Sequence, residues 1–246
     1  MTTEVNIIEN IKKATEVVFS FDSTGSMSSC IANVRNHIEK TCEELFENIP
    51  DLKIGFIAHG DYCDLEKCYT VLSLTNDKAK IFDFIRTTPN TCGGDSPECY
   101  ELALNLAKTL GWSDAKGGKV LVMIGDEEPH EPDYPDNKDK LDWKKELNDL
   151  KTMGIDVYPL QCLYHENNIS ANHFWKTIAE TFDTPLLKLD SFQDSSIMFT
   201  GIVSASAGTD AFRSYETKYT ANSSENVKCL NAGLRSRTER YDAKKN

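Results

Sequence analysis

The sequence predicts an α/β fold: a doubly wound, mostly parallel six-stranded sheet with one antiparallel edge strand and helices on both faces. Three observations carry this. Short runs of Val, Ile and Phe without polar alternation, such as EVVFSFD and KVLVMIG, describe strands buried on both sides. Between them the apolar period changes to about 3.6 residues, as expected of helices that cover such a sheet. One connection, GDYCDLEK, is too short for a crossover helix, so the strands it joins pair antiparallel at an edge. With 246 residues, 39% of them hydrophobic, the chain buries one sizeable core.

In chain order, strands are expected over 16–22, 52–59, 68–74, 119–125, 155–160 and 185–189. After FSFDSTGS, residues Met27, Ile31, Val34, Ile38, Cys42 and Leu45 recur at three- and four-residue steps, a helix entered through Ser26 as its cap. Further helices are expected near 77–87, 97–110, 141–153, 172–182 and 195–207. The globular domain then spans 15–207, after an N-terminal extension at 1–14 and before a basic C-terminal tail at 208–246. In a Rossmann-like sheet, ligands bind outside the carboxyl ends of the strands where the strand order reverses. The strand FSFD ends at such a place.

The formal charge of −12 argues against a nucleic-acid partner, since such binders gather Lys and Arg to displace counterions. Neither a signal-peptide pattern nor an apolar run of membrane-spanning length is found, and the chain reads as cytoplasmic. The eight cysteines lie singly, several inside periodic apolar segments, and are expected as free thiols, with Cys30, Cys42 and Cys162 as small core residues. No Cys-x-x-Cys occurs, and Cys162 with His165 and His173 is too loose for zinc.

Three segments at strand ends carry oxygen donors. In DSTGS, Asp22, Thr24 and Ser26 alternate around a turn at Gly25 and direct one carboxylate and two hydroxyls to a common centre. In TCGGDSPE, Gly93 and Gly94 permit an unusual backbone path that presents Asp95, with Glu98 three residues on. In GDEEPH, Asp126 directly follows an apolar strand. Each segment alone also reads as a cap or a turn. Together, in this order and at sheet ends, they read as one hard-cation site suited to Mg²⁺, with Mn²⁺ or Ca²⁺ as alternatives.

With these segments the chain resembles a von Willebrand factor type A (VWA) domain over 15–207. DSTGS is similar to that family's D-x-S/T-x-S metal-ion-dependent adhesion site (MIDAS) motif, GGDSPE to its second loop with aspartate in place of the usual threonine, and IGDEEPH to its third. The stretch KIGFIAHGDYCD resembles the second strand of the α-kinase-associated and hemicentin-like branch. The resemblance implies a Mg²⁺ held by Asp22, Thr24, Ser26, Asp95 and Asp126, with Glu98 as the alternative to Asp95. It also implies an open coordination position completed by an Asp or Glu of a protein partner. The function expected is thus metal-dependent protein binding, in adhesion or assembly, and not catalysis. The alternative is a scaffold that uses the same fold without metal.

A phosphotransferase of the haloacid dehalogenase kind needs Asp-x-Asp where this chain has Thr24, and a dinucleotide site needs more glycines than DSTGSM offers. His59 reads as a hydrogen-bonded structural residue, the acidic run 126–142 as a solvated loop, and Trp143 and Trp175 as helix-packing residues. From 208 onward, eight basic residues outnumber five acidic ones with little apolar period. That describes a partly disordered tail, the alternative being an arm packed on its own acidic domain or on a neighbour.

Overall fold

In the computed structural model, residues 14–94, 96–113, 117–163, 166–189, 194–219 and 223–244 are described, apart from the side chains of 30, 33–37, 189 and 244. The strands are β1 (Glu16–Asp22), β2 (Lys53–His59), β3 (Tyr69–Thr75), β4 (Lys119–Gly125), β5 (Asp156–Cys162) and β6 (Leu187–Leu189). The α-helices are α1 (Ser28–Asn48), α2 (Lys78–Thr87), α3 (Tyr100–Ala107), α4 (Trp143–Thr152), α5 (Ile169–Phe182), α6 (Ser195–Ser206), α7 (Thr209–Tyr219) and α8 (Glu225–Lys244). A short 3₁₀ segment, Tyr62–Lys67, joins β2 to β3.

The sheet has six strands in the order β3-β2-β1-β4-β5-β6. All neighbours run parallel except β2 and β3, the antiparallel edge pair expected from the short connection. β1 pairs with β2 on one side and with β4 on the other, so the strand order reverses at the end of β1. A crevice opens there because the loops after β1 and β4 lead to opposite faces.

Alternation along the strands divides the core between the two faces. Val17, Phe19, Val120 and Val122 point to α1, α2, α6 and α8, while Val18, Leu121 and Met123 point to α3, α4 and α5. On the first face Phe19 stacks on Phe56 at 5.6 Å between ring centres and meets the edge of Phe199 at 5.3 Å. On the second, Phe174 lies 5.2 Å from Trp175 and 5.3 Å from Trp143, which bears out the packing role expected of both tryptophans. Truncating any of these buried rings to Ala costs about 3–5 kcal/mol.

Two boundaries differ from expectation for identifiable reasons. α1 begins at Ser28 with Met27 in the N-cap position and no side-chain cap, so Ser26 is not a capping residue. α3 begins only at Tyr100 because Glu98 is held by a parallel bridge to Pro129.

The larger correction concerns the segment after residue 207. Instead of a partly disordered tail, the described part forms α7 and α8, with Val227, Leu230, Leu234 and Tyr241 fully buried against the first core. Its positive charge meets the acidic domain in a buried network. Arg237 Nη2 lies 3.3 Å from Asp156 Oδ1, and its Nε donates to Tyr158 Oη at 3.0 Å. Arg237 Nη1 donates to the carbonyls of Phe182 and Asp183. The arm is therefore fastened by apolar burial and by a charge with several acceptors.

Candidate metal centre

β1 delivers Asp22 to the sheet end fully buried, and the chain turns immediately so that Thr24 comes back to it. Asp22 Oδ1 accepts from Thr24 N at 2.8 Å and from Thr24 Oγ1 at 2.6 Å. Ser26 Oγ stands 3.4 Å from Thr24 Oγ1. Ser23, between them, is turned the other way and ties this loop to its neighbours: its Oγ donates to the His59 carbonyl at 2.8 Å and lies 3.1 Å from Thr91 Oγ1. Gly25 has room for a Cβ and no positive φ, so the turn does not depend on a glycine there.

The second loop is set by backbone and by Asp64. The Asp64 carboxylate accepts from the amides of Cys92 and Gly93, and Gly93 takes the left-handed φ of +70° that a residue with a Cβ resists. Glu98 N donates to the Glu128 carbonyl at 2.9 Å, which draws the second and third loops together. Asp95 lies outside the described residues. Glu98, the alternative ligand of the same loop, is buried and leaves Oε2 without a hydrogen-bond partner.

Asp126 follows β4 as expected, and its Oδ1 is likewise buried and unpartnered. Beneath the site lies Tyr100, which sequence reasoning assigned only to a helix. Its hydroxyl donates to Asp22 Oδ2 at 2.8 Å and accepts from the amides of Asp126 at 3.0 Å and Glu127 at 3.3 Å. One phenol thus fixes the first and third loops. Its sequence signal is faint, because a tyrosine at the start of a helix reads as core.

The electrostatics are those of crowded acids. Burial raises the pKa of Asp22 despite the hydrogen bonds from Thr24 and Tyr100 that oppose it. Burial and the neighbouring Asp22 charge raise Asp126, against a hydrogen bond from Ser26. Glu98 is pushed up to about 10, by burial and then by Asp22, Asp61 and Asp126. Among the described residues none of these three carboxylates has a Lys or Arg partner. Such a cluster ionises readily only beside a cation. The donor set, all oxygen with two orphaned carboxylate atoms, fits a hard divalent ion.

His59 departs from its expected role. It is buried against the Tyr100 ring at 4.7 Å, neither ring nitrogen has a hydrogen-bond partner, and burial lowers its pKa to about 3, so it is a neutral packing residue. The acidic run 126–142 is also more than a solvated loop. His130 and Asn137 within it are buried, and Asn137 braces the loop by accepting from Leu141 N at 2.9 Å and donating to the Leu141 carbonyl at 2.9 Å.

No family profile and no curated protein sequence matches the chain. Solved structures do match. One is the pilus adhesin SpaC from Lactobacillus rhamnosus GG in an open conformation, with TM-score 0.60 and 12% identity over 82% of this chain. Another is the conserved hypothetical protein BatB from Bacteroides thetaiotaomicron, with TM-score 0.54 and 14% identity over 82% of this chain and 99% of BatB. A third is an aerotolerance-related membrane protein from Bacteroides fragilis, with TM-score 0.50 and 17% identity. The likeness is one of fold. The match covers 30% of the adhesin's own length. Among the described residues, no helix of this chain is long and apolar enough to cross a membrane.

Proposed function

We propose that this chain is a VWA-like protein-binding module of the adhesion or assembly kind, which captures an Asp or Glu of a partner protein through a Mg²⁺ held at the end of β1. The observation that carries this reading is the meeting of Asp22, Thr24 and Ser26 with Asp126 and Glu98 where the strand order reverses, with carboxylate oxygens left unpartnered. Asp22, Thr24, Ser26 and Asp126 would hold the ion, with Asp95 or Glu98 from the second loop. Bound there, Mg²⁺ supplies a Lewis-acidic position at which a partner's carboxylate binds without chemical change.

The chain's own residues prepare this. Tyr100 keeps Asp22 and the third loop in place, and Asp64 holds the second loop through the amides of Cys92 and Gly93. The oxygen-only donor set favours Mg²⁺, and Mn²⁺ or Ca²⁺ share its preference. The reading is of a binder. The likeness to a pilus adhesin supports the class without identifying the partner.

The test is capture of partner proteins in Mg²⁺ and in EDTA by wild type, Thr24→Ala and Asp95→Thr. Capture should vanish in EDTA and in Thr24→Ala. Asp95→Thr removes a negative charge beside the ion and should strengthen capture of an acidic group. Capture of equal strength in all three proteins, indifferent to chelation, would leave a metal-free scaffold.

A further inference from the structure

Beside the oxygen site lies a cluster of different chemistry. Asp61 follows β2, Cys99 precedes α3, and His130 lies in the loop after β4. One ligand atom from each of these buried side chains falls within 4.8 Å of the other two. His130 Nε2 and Asp61 Oδ1 are 2.7 Å apart. Asp61 Oδ2 and His130 Nδ1 have no partner, although the two side chains are 1% and 0% exposed. A fourth group, Cys68, places its Sγ 3.4 Å from Cys99 Sγ. Two thiolates on one zinc, each about 2.3 Å from it, stand at about 3.8 Å.

We infer that Asp61, Cys99 and His130 form a second metal site, one for Zn²⁺, with the Cys68 thiol next to the fourth position. Thiolate and imidazole beside a single carboxylate suit zinc and disfavour Mg²⁺, which divides the two sites by chemistry although their loops are shared. The imidazole is already aimed: its ring stacks on Tyr134 at 3.8 Å and its backbone amide donates to Glu101 Oε2 at 3.1 Å. A pocket of about 390 Å³ lined by Pro97, His130, Tyr134 and Trp143 lies on the His130 side of the cluster. On binding, the Cys99 thiol releases its proton to solvent as the S–Zn bond forms. Because Cys99 follows Glu98 and His130 shares a loop with Asp126, zinc here would staple together the loops that carry the oxygen site.

The site is tested on the full chain, stripped of metal and reloaded with Co²⁺ as a spectroscopic stand-in for zinc, in excess Mg²⁺. One tightly held Co²⁺ with tetrahedral visible bands and a thiolate charge-transfer band in the near ultraviolet is expected. Cys99→Ser, nearly isosteric, should lower the charge-transfer band by half or more, whereas Cys229→Ser on α8 should leave it unchanged. His130→Gln should weaken zinc by at least about 100-fold, the upper end of what a partner outside the coordination shell costs. Asp22→Asn should leave the cobalt spectrum intact, and this separates the result from the fate of the Mg²⁺ reading. Wild-type spectra without the thiolate band, a band insensitive to Cys99→Ser, or a Cys68–Cys99 disulfide in protein that takes up no metal would each overturn the assignment.

Discussion

Asp22 is the residue on which the candidate centre turns. It is fully buried, holds Thr24 by two hydrogen bonds and Tyr100 by a third, and has a raised pKa. A cation bound there would offset its cost to the fold. A ligand at a hundredfold excess over its Kd stabilises the native state by about 2.7 kcal/mol, which for a chain of this size raises Tm by about 5–10 °C. Saturating Mg²⁺ should produce that shift in wild type, measured by scanning calorimetry, and little or none in Asp22→Asn or Thr24→Ala. A full shift in both variants would remove these residues from the site. The motif DSTGS made them legible in the sequence because spacing alone put three donors on one turn. Tyr100, Asp61 and Asp64 were not legible, since their roles depend on which loops lie beside them.

At the scale of elements, the contact between α7 and α1 is polar and carries a pH dependence. Glu44 on α1 accepts from Tyr219 Oη at 2.6 and 2.7 Å and pairs with Lys218 Nζ at 2.7 Å. Burial works against its ionisation, but the bonds from Lys218 and Tyr219 outweigh it and hold its pKa below the ordinary 4.5. A folded pKa lower than the unfolded one means a contribution present above pH 4.5 and lost as pH falls through the folded value. Hydrogen exchange of the α7 amides should therefore speed up relative to the core strands on acidification from pH about 6 to about 3. In Glu44→Gln, exchange at the higher pH should already be faster and the acid step should shrink. An acid step of the same size in the variant would dissociate Glu44 from α7 docking.

For the whole molecule, α8 decides what counts as the folded unit. α6 reads SSIMFTGIVSAS and is buried on nearly all sides, because α1 covers one side and α7 and α8 cover another. A helix without a polar face needs such cover, and Val227, Leu230, Leu234 and Tyr241, at steps of three, four and seven, are a second sign in the sequence that the basic segment is not a loose tail. A chain ending at residue 207 would expose Ile202, Val203 and their neighbours and leave Asp156 without Arg237. It should be insoluble or unfold without a cooperative transition, whereas the full chain should unfold in one step in urea. A soluble, cooperatively unfolding truncation would show that α7 and α8 are accessory. A milder probe is Leu230→Ala, which should cost about 2–5 kcal/mol by the same burial.

What the sequence determined by itself is whatever repeats locally: apolar runs of strand length, the 3.6-residue period of α1, the short antiparallel connection, and donors spaced on a single turn. Burial on both faces forces such strands into a parallel, helix-covered sheet, and this sheet brings its loops to one end. The tertiary structure alone decided which distant residues share that end. Glu98 reaches Asp126 through a bridge to Pro129, His130 meets Asp61 across 69 positions, and Arg237 meets Tyr158 across 79. Pairings at such separation are set by loop geometry and by which surfaces meet, and the identity of the distant partner leaves no periodic trace along the chain.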